Sequence, residues 1–336
     1  MKDKRFIGID LGGTHLRSAL VDGGGTILEH RKIGIGSVED PRNLSLRLIN
    51  ECRLLLEESQ RTNRKVEAVG MGVAGKIDSR RGTVIFSPNL PTVRNYPLGL
   101  ELQEALGIPV FMENDANAFG VGEGWVGAAR GIPNWVGLTL GTGVGGCLLF
   151  DGRLWQGDHL GFSGEIGHMI VDPHGPRCGC GLQGCLEAHA SGSALMRGIE
   201  EAIEKGHGVS PPLRKDWEQG RLNPERIHQY ARTGEPAARE LFRRMGWALG
   251  LALASLFTVL GVRHAILGGG VSASWDQFHG FLLESLSRYS SMLDPKDAVV
   301  RRSELGDRAA LLGAARLAWE RYNQESRGSR VQGREA

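Results

Sequence analysis

Two segments of this chain repeat each other in register. The first reads FIGIDLGGTHLRSALVDG from Phe6 to Gly23, and the second reads WVGLTLGTGVGGCLLFDG from Trp135 to Gly152. Each consists of an apolar run, a turn rich in glycine and threonine, a second apolar run and an Asp-Gly pair, a pattern typical of a β-hairpin. Two equivalent hairpins that open two halves of one chain predict a duplicated α/β domain with a cleft between the copies.

Helix signals occupy the intervals between the strand-like runs. Asp40-Pro41 begins a helix, because aspartate caps helices and proline is favoured in the first turn. Asn223-Pro224 and Glu235-Pro236 open two further helices, and Asp307 is predicted to cap the last one. Short apolar strands are predicted at residues 66–73, 83–86 and 109–112. This alternation of strands and helices is typical of α/β proteins.

The chain length of 336 residues favours two domains. We expect a small N-terminal domain of residues 1–117, completed by a C-terminal helix at about 307–322. Residues 118–306 are expected to form a larger C-terminal domain that contains the cysteine-rich segment described below. Residues 323–336 lack hydrophobic periodicity, so the sequence predicts a disordered tail there.

The composition excludes several kinds of partner. A net charge of +2 implies no nucleic-acid partner and no anionic membrane surface. Met245–Val262 carries no charged residue and is long enough to be either a membrane span or a helix buried inside a domain. We interpret it as a buried helix, since no other segment supports a membrane protein. No apolar stretch precedes the first strand, so no secretory signal is visible and we expect a cytoplasmic protein.

One histidine and three cysteines lie close together in the segment GEIGHMIVDPHGPRCGCGLQGCLEAHAS. They are His168, Cys178, Cys180 and Cys185. One imidazole and three thiolates form the closed tetrahedral shell typical of structural zinc, and the glycines between the cysteines allow the backbone to turn around one ion. Unrelated buried cysteines or a disulfide are the alternatives, but clustered cysteines with a nearby histidine in an intracellular chain favour a metal.

Two carboxylates flank these four residues. Glu165 lies one helical turn before His168, and Glu187 lies two residues after Cys185. A metal bound by the cluster would therefore hold the two glutamates in a fixed relation to each other.

Three turns rich in glycine each follow an apolar run. They are Asp10-Leu11-Gly12-Gly13-Thr14, Gly141-Thr142-Gly143-Val144-Gly145-Gly146 and Gly268-Gly269-Gly270-Val271-Ser272. In the first two turns, backbone N–H groups and a threonine hydroxyl can approach phosphate oxygens, and Asp10 of the first turn can hold hydrated Mg²⁺. The third turn would let a base or a ribose lie against the backbone. A single glycine turn is most often only a turn, but two of these three are related by the repeat.

A run of polar residues, Glu113-Asn114-Asp115, follows a predicted strand and precedes a helix. Asp115 can simply cap that helix. Beside phosphate-binding turns, however, the same carboxylate can act as a general base on a hydroxyl group. The residues themselves leave both interpretations open.

Taken together, these motifs resemble those of the ROK family (repressors, open reading frames and sugar kinases) of the hexokinase–actin–Hsp70 superfamily. They occur in order as DLGGTHLR, PNL, ENDANA, LGTGVGG, GEIGH, CGCGLQGCLE and LGGGVS over residues 6–272. The combination of ENDAN, GEIGH and CxCGxxGCxE is highly specific, although His15 stands where many relatives carry lysine or asparagine. The resemblance implies a duplicated ribonuclease-H-like fold of two α/β domains, with an interdomain cleft and a small zinc-binding subregion.

The same resemblance implies a role for each motif. Asp10 would lie near Mg²⁺, and Asp115 would take the proton from the primary sugar hydroxyl as that oxygen attacks the γ-phosphate of ATP. His168 would contact both zinc and the sugar through its two ring nitrogens. Phosphates would be bound at Gly12, Gly13, Thr14, Gly141, Thr142 and Gly143, adenosine at Gly268, Gly269 and Gly270, and sugar hydroxyls at Asn89, Asn114, Asp115, Glu165, His168 and Glu187.

The activity implied is that of an ATP-dependent hexose kinase, with a glucokinase that forms glucose 6-phosphate as the leading hypothesis. A kinase for N-acetylglucosamine or N-acetylmannosamine, or a fructokinase, is an alternative, because the sequence does not show the pocket around the C2 substituent. Structural Zn²⁺, Mg²⁺ with ATP, and a homodimer are further expectations from the resemblance.

Two functions of other classes are disfavoured. Sugar-responsive repressors of this family carry a helix-turn-helix domain ahead of the first phosphate turn, whereas only nine residues precede Asp10, and the near-neutral charge agrees. An actin-like or Hsp70-like ATPase would have no use for a zinc-braced pair of glutamates or for the ENDAN segment.

Overall fold

Strands and helices alternate along the computed structural model, which describes residues 4–158, 163–206 and 208–332. The strands are β1 (Arg5–Leu11), β2 (His15–Asp22), β3 (Ile27–Gly34), β4 (Val66–Val73), β5 (Lys76–Asp78), β6 (Thr83–Phe86), β7 (Val110–Asn114), β8 (Trp135–Leu140), β9 (Val144–Phe150), β10 (Arg153–Leu154), β11 (His264–Gly268) and β12 (Val299–Arg302). The helices are α1 (Pro41–Arg61), α2 (Leu98–Leu106), α3 (Asp115–Val126), α4 (Glu187–Ala190), α5 (Gly192–Glu204), α6 (Pro211–Glu218), α7 (Pro224–Arg232), α8 (Pro236–Leu260), α9 (Trp275–Tyr289) and α10 (Ala309–Gln332).

The duplication predicted from the repeat is confirmed by the order of strands in two five-stranded sheets. One sheet has the order β3-β2-β1-β4-β7, and the other has the order β10-β9-β8-β11-β12, so each strand of one sheet has a counterpart in the other. In both sheets the third and fourth strands are parallel neighbours. Asp151 and Gly152 form the tight turn between β9 and β10, with φ angles of 50° and 71° as a two-residue hairpin turn requires.

Most of the predicted helix starts are also found. Asp40 caps α1, since its Oδ1 accepts a hydrogen bond of 2.9 Å from the backbone N–H of Arg42. Asn223 caps α7 through a bond of 2.8 Å from the backbone N–H of Arg226. The predicted role of Asp307 is wrong, because this residue lies in a short 3₁₀ turn ahead of α10 and its carboxylate pairs with an arginine side chain described below.

The described residues divide into two compact units, and their boundary differs from the predicted one. The first unit comprises Met1–Pro133, Cys147–Ser163 and Asp307–Ala336, and the second comprises Asn134–Gly146 and Gly164–Gly306. The expected boundary after residue 117 is wrong because it would cut α3 near its beginning. All of α3 belongs to the first unit, where it packs along α10.

The predicted disordered tail is wrong for most of its length, because α10 continues to Gln332. Residues 333–336 lie outside the part of the chain that the structure describes. Lys4 lies 5.1 Å above the ring of Tyr322 and contacts Asn323, so the start of the predicted tail is packed. Adding residues to an established helix requires no new nucleation, which explains why a polar sequence can extend it.

Helix α10 lies unusually close to its neighbours because glycines replace side chains at the contacts. A Cβ atom on Gly70 of β4 would lie 1.8 Å from the carbonyl oxygen of Ala314, and one on Gly313 would lie 1.7 Å from that of Ala118 in α3. No side chain fits at either position unless the helix moves. Through these contacts, the C-terminal helix packs closely against both the first sheet and α3.

We expect Gly313→Ala to lower the free energy of unfolding by about 1–3 kcal/mol or more, the usual cost of overpacking. Urea denaturation followed by circular dichroism measures this change. Gly280→Ala is the matched control, because Gly280 is exposed on α9 with no atom near its missing Cβ. The control should be neutral or stabilising by up to about 1 kcal/mol, through helix propensity. Equal stability of the two variants would contradict the packing argument.

The apolar segment 245–262 belongs to the second unit and is largely buried from residue 245 to residue 254, in agreement with the predicted buried helix, whereas Val259 near its end is 81% exposed. Met245, Leu249 and Leu253 of α8 are fully buried, and this helix packs against α4, α5, α7 and α9. Across residues 4–158, 163–206 and 208–332, no helix combines the length and the apolar character needed to cross a membrane.

Candidate active site

Asp10 of the first glycine turn is held by a neighbouring arginine. It pairs across the β1–β2 hairpin with Arg17, whose Nη1 donates a hydrogen bond of 3.0 Å to Asp10 Oδ2. The Nη2 of Arg17 binds Asp307 at 2.9 Å. Burial raises the pKa of Asp10, and the guanidinium of Arg17 opposes that rise. Sequence reasoning missed Arg17, although the hairpin register alone places it opposite Asp10.

The PNL motif lies against the same turn. A Cβ atom on Gly13 would lie 2.8 Å from the Cβ of Asn89, so the asparagine packs directly on the turn backbone. The hydroxyl oxygen of Thr14 lies 2.9 Å from Nδ1 of His15, and both side chains are exposed. The first unit therefore brings Asn89 and the first glycine turn together, as expected for neighbouring parts of one site.

The ENDAN segment begins α3, and its cap is Asn114 rather than Asp115. Oδ1 of Asn114 accepts hydrogen bonds from the backbone N–H groups of Ala116 and Asn117, at 2.8 and 3.2 Å. Nδ2 of Asn114 donates to the carbonyl oxygen of Gly75 at 2.9 Å. Asp115 is the first residue of the helix, where the helix dipole favours a negative charge. Asn114 is therefore the N-cap, although Oδ1 of Asp115 also accepts a hydrogen bond of 3.0 Å from the backbone N–H of Ala116.

Asp10 and the ENDAN segment lie at the same edge of the first sheet. In the strand register, Asp10 of β1 pairs with Gly72 of β4, and Gly72 pairs with Glu113 of β7. A Cβ atom on Gly72 would lie 3.6 Å from the Cα of Asp115, so α3 begins directly over this row. The first unit thus gathers the first turn, Asn89, Asn114 and Asp115.

The second and third glycine turns meet in the second unit. The backbone N–H groups of Gly192 and Ser193, at the start of α5, donate to the carbonyl oxygens of Gly141 and Thr142 at 2.8 and 3.3 Å. Gly269 has a φ of 82°, and a Cβ atom there would lie 2.4 Å from the carbonyl oxygen of Leu140. Only glycine can occupy that position. The turn at 141–146 and the turn at 268–272 are therefore neighbours.

The predicted zinc ligands are brought together. The ligand atoms of His168, Cys178, Cys180 and Cys185 all lie within 4.8 Å of one another. Nδ1 of His168 lies 3.8 Å from Sγ of Cys178, and the sulfur atoms of Cys180 and Cys185 are 3.7 Å apart. A tetrahedral zinc ion with bonds of about 2.0–2.3 Å separates its ligand atoms by about 3.5–3.8 Å, so the cluster could hold zinc. None of the cysteines in the described chain forms a disulfide.

Burial opposes the thiolate form of two of the three clustered cysteines. Burial raises the pKa of Cys178 to about 12 and raises that of Cys185. A hydrogen bond from the backbone of Leu182 lowers the pKa of Cys180, which is exposed. A metal binds thiolates and displaces their protons. The four side chains are close enough to bind one metal ion, but Cys178 and Cys185 would stay protonated at neutral pH until the metal displaced their protons.

The two flanking glutamates take different positions in the second unit. Glu187 begins α4, and its Oε2 accepts a hydrogen bond of 3.0 Å from the backbone N–H of Val144 in the second glycine turn. Its Oε1 lies 3.4 Å from Sγ of Cys178. Glu165 is exposed immediately before the 3₁₀ turn Ile166–His168, one turn from the histidine, as the sequence predicted. Glu187 thereby links the cysteine cluster to the second glycine turn.

Residues 6–321 match the model of the ROK family. The chain belongs to this family. The glucokinase of Thermotoga maritima is 37% identical over 322 residues, which cover 96% of this chain and 99% of that protein. A crystal structure of a ROK family glucokinase from Streptomyces griseus, in complex with glucose and AMPPNP, is 34% identical with a TM-score of 0.77 and covers 94% of this chain and 99% of that one.

The family also contains regulators. The xylose repressor of Caldicellulosiruptor bescii is 30% identical over 311 residues, which cover 92% of this chain but 76% of the repressor. Membership of the ROK family therefore establishes the two-domain α/β fold, whereas the choice between kinase and regulator rests on the residues of the site.

Proposed function

We propose that this chain is an ATP-dependent hexose kinase whose substrate is glucose and whose product is glucose 6-phosphate. The observation that carries the proposal is the position of Asp115 in the ENDAN segment. Asn114 caps α3, so the carboxylate of Asp115 stands at the start of the helix beside the strand row that contains Asp10. The two similar glucokinases described above support glucose as the substrate.

Asp115 acts as the general base in this proposal. Its carboxylate accepts the proton of the primary hydroxyl as that oxygen attacks the γ-phosphorus of ATP. Phosphoryl transfer needs little covalent help from a protein, and positioning with charge neutralisation supplies most of the acceleration. A general base contributes roughly 10²–10⁴-fold on top of these effects.

The nucleotide would bind at the three glycine turns. Backbone N–H groups of Gly12, Gly13, Gly141 and Gly143, with the hydroxyls of Thr14 and Thr142, are suited to phosphate oxygens, and Gly268, Gly269 and Gly270 to adenosine. Asp10 offers the anionic oxygen ligand that Mg²⁺ prefers, and Arg17 keeps that carboxylate in one orientation. Bound Mg²⁺ would neutralise charge on the transferring phosphoryl group.

The sugar would be held by Asn89, Asn114, Glu165, His168 and Glu187. His168 faces Cys178 through Nδ1, which leaves Nε2 for a sugar hydroxyl. Asn114 uses one hydrogen of its amide on Gly75, and the second can donate to the sugar. Zinc bound by His168, Cys178, Cys180 and Cys185 would be structural, because four protein ligands leave no open position.

Two further expectations accompany the kinase assignment. We propose that the protein acts in the cytoplasm and that it forms a homodimer. The homodimer is what the resemblance to ROK family kinases implies, and Val259 at the end of α8 and Met292 after α9, each 81% exposed, are candidate positions for its contact. Sedimentation equilibrium of the purified protein would measure the oligomeric state.

A panel of hexoses with ATP and Mg²⁺, read as release of ADP, tests the activity directly. Glucose should give the highest kcat/KM, and N-acetylglucosamine, N-acetylmannosamine and fructose should be poorer substrates. A preference for one of these sugars would correct the substrate while leaving the kinase assignment intact. A protein that binds a sugar but releases no ADP with any of them would favour a regulator.

Removing one zinc ligand should weaken sugar binding more than ATP binding. We expect Cys180→Ser to lower the zinc content below one per chain and to raise the KM for sugar by an order of magnitude or more. The physical reason is that Glu187 contacts Cys178 and that Glu165 lies one turn from His168, so loss of the metal loosens several polar groups together. Each misplaced hydrogen bond costs about 0.5–1.5 kcal/mol.

Metal analysis and steady-state kinetics of this variant should be compared with those of Cys52→Ala. Cys52 is buried in α1 of the first unit and is not one of the four clustered residues, so its removal should leave zinc content and sugar KM unchanged. Stoichiometric loss of zinc from Cys180→Ser with an unaltered sugar KM would separate the metal from sugar recognition, without affecting the kinase assignment.

A further inference from the structure

We propose that Glu113 and Arg321 form a positioning pair that fixes the first turn of α3, and with it the carboxylate of Asp115. This inference rests on the proposed kinase function, since it assigns the pair to the orientation of the general base. The C-terminal helix α10, which carries Arg321, thereby takes part in catalysis without contacting the reacting atoms.

One oxygen of Glu113 holds the chain on both sides of Asp115. Oε1 accepts a hydrogen bond of 3.0 Å from the backbone N–H of Asn114, the residue before it. The same oxygen accepts a bond of 3.1 Å from Nδ2 of Asn117, one residue beyond Ala116. Asp115 therefore lies between two residues that are tied to one buried carboxylate oxygen.

The other oxygen of Glu113 is bound by three separate segments of the first unit. Oε2 accepts hydrogen bonds from Nη2 of Arg321 at 2.9 Å, from Oγ of Ser79 at 3.2 Å and from Nε2 of Gln156. Ser79 follows β5, Gln156 follows β10, and Arg321 belongs to α10. Through this carboxylate, three segments of the chain are bound to the end of β7, directly before Asp115.

Arg321 also forms hydrogen bonds with the backbone near Glu113. Its Nη1 donates to the carbonyl oxygen of Met112 at 3.2 Å, in the strand residue before Glu113, and to that of Ser79 at 3.3 Å. The planar guanidinium holds the carboxylate and the neighbouring peptide at once, a geometry that lysine cannot reproduce. Arg321 therefore fixes the end of strand β7, immediately before α3 begins.

Geometry rather than stability best explains a charge pair at this position. The side chain of Glu113 is 3% exposed and that of Arg321 is 22% exposed, so the carboxylate has lost nearly all of its water. A buried ion pair is often no more stabilising than apolar side chains of similar volume, because removal from water is costly. A fully hydrogen-bonded network does, however, restrict its members to one arrangement. Here the restricted element is the start of the helix that carries the general base.

We expect Glu113→Gln to lower kcat by about 10-fold to 10²-fold, since a displacement of the order of 1 Å in a reacting group can cost that much. The KM for ATP should stay within about twofold, because the hydrogen bonds of the Glu113 side chain go to the first turn of α3, to Ser79, to Gln156 and to Arg321 rather than to a glycine turn. Glu123→Gln is the matched control. Glu123 is fully buried in the same helix and accepts a hydrogen bond of 2.8 Å from the backbone N–H of Ala128, far along α3 from Asp115. Its replacement should leave kcat within about twofold of the wild-type value.

A double-mutant cycle separates positioning from a general structural role. If Glu113 acts through Asp115, then adding Glu113→Gln to Asp115→Asn should lower kcat no further than Asp115→Asn alone. Effects on kcat that multiply would overturn the inference, as would a wild-type kcat for a folded Glu113→Gln protein. Arg321→Lys serves if Glu113→Gln does not fold. Arg321→Lys should reduce kcat several-fold with an unchanged KM for ATP. A wild-type kcat for this variant would also overturn the proposed positioning role.

The wild-type protein is assayed first with the hexose panel. If it phosphorylates no hexose, the proposed function fails and the pair has no general base to position. If the wild type is active and Glu113→Gln is equally active, only the positioning role fails. The two failures are therefore distinguishable in one set of measurements.

Discussion

Asp115→Asn is expected to lower kcat for hexose phosphorylation by about 10²–10⁴-fold, which is the usual contribution of a general base. The amide keeps the volume of the carboxylate but cannot accept the hydroxyl proton at neutral pH. Helix α3 should still form, because its cap is Asn114. The dissociation constant for sugar, measured by calorimetry, should change much less than kcat, since the amide can still form a hydrogen bond.

Asp40→Asn is the control, because it makes the same replacement of a carboxylate by an amide at the start of another helix. Asp40 caps α1 on the surface of the first unit, and asparagine caps helices about as well as aspartate does. This variant should keep both stability and kcat. If Asp115→Asn folds, binds sugar and turns over within threefold of the wild type, then Asp115 contributes to the helix terminus and another group removes the proton.

Chelation of magnesium is expected to abolish activity, and an excess of Mg²⁺ should restore it. Asp10→Ala should reduce kcat by about 10²–10³-fold, the effect seen when one electrostatic contact to a transition state is removed. It should also raise the Mg²⁺ concentration required for half-maximal rate. The change removes the only carboxylate of the first glycine turn and leaves Arg17 facing Asp307 alone.

Titration of the rate with Mg²⁺ measures this effect in both proteins. Asp22→Asn is the matched control, because Asp22 ends β2 of the same hairpin and its Oδ1 accepts hydrogen bonds from the backbone N–H groups of Gly24 and Thr26 in the turn that follows. That variant should keep the wild-type dependence on Mg²⁺. Full activity of Asp10→Ala at limiting Mg²⁺ would remove Asp10 from the nucleotide site.

The features that the sequence determined by itself are those encoded over short stretches of chain. The repeated hairpins predicted the duplicated sheets, because alternating apolar residues and glycine turns specify strands and their connections locally. The four residues of the cysteine cluster were found for the same reason. They lie within one short loop, so residue type and spacing already limit where their side chains can meet.

The remaining features were decided only by tertiary structure. Asn114 and Asp115 are both good capping residues, and the choice between them depends on which one adopts the extended backbone ahead of α3. Arg321 reaches Glu113 across 208 residues of chain, through the docking of α10 on the sheet that its glycine contacts permit. The same docking keeps α3 in the first unit and supports the helix beyond residue 322, where composition alone predicted disorder. Local sequence specifies backbone conformation, but contacts between distant segments appear only when the chain has packed, because they depend on distances in space rather than along the chain.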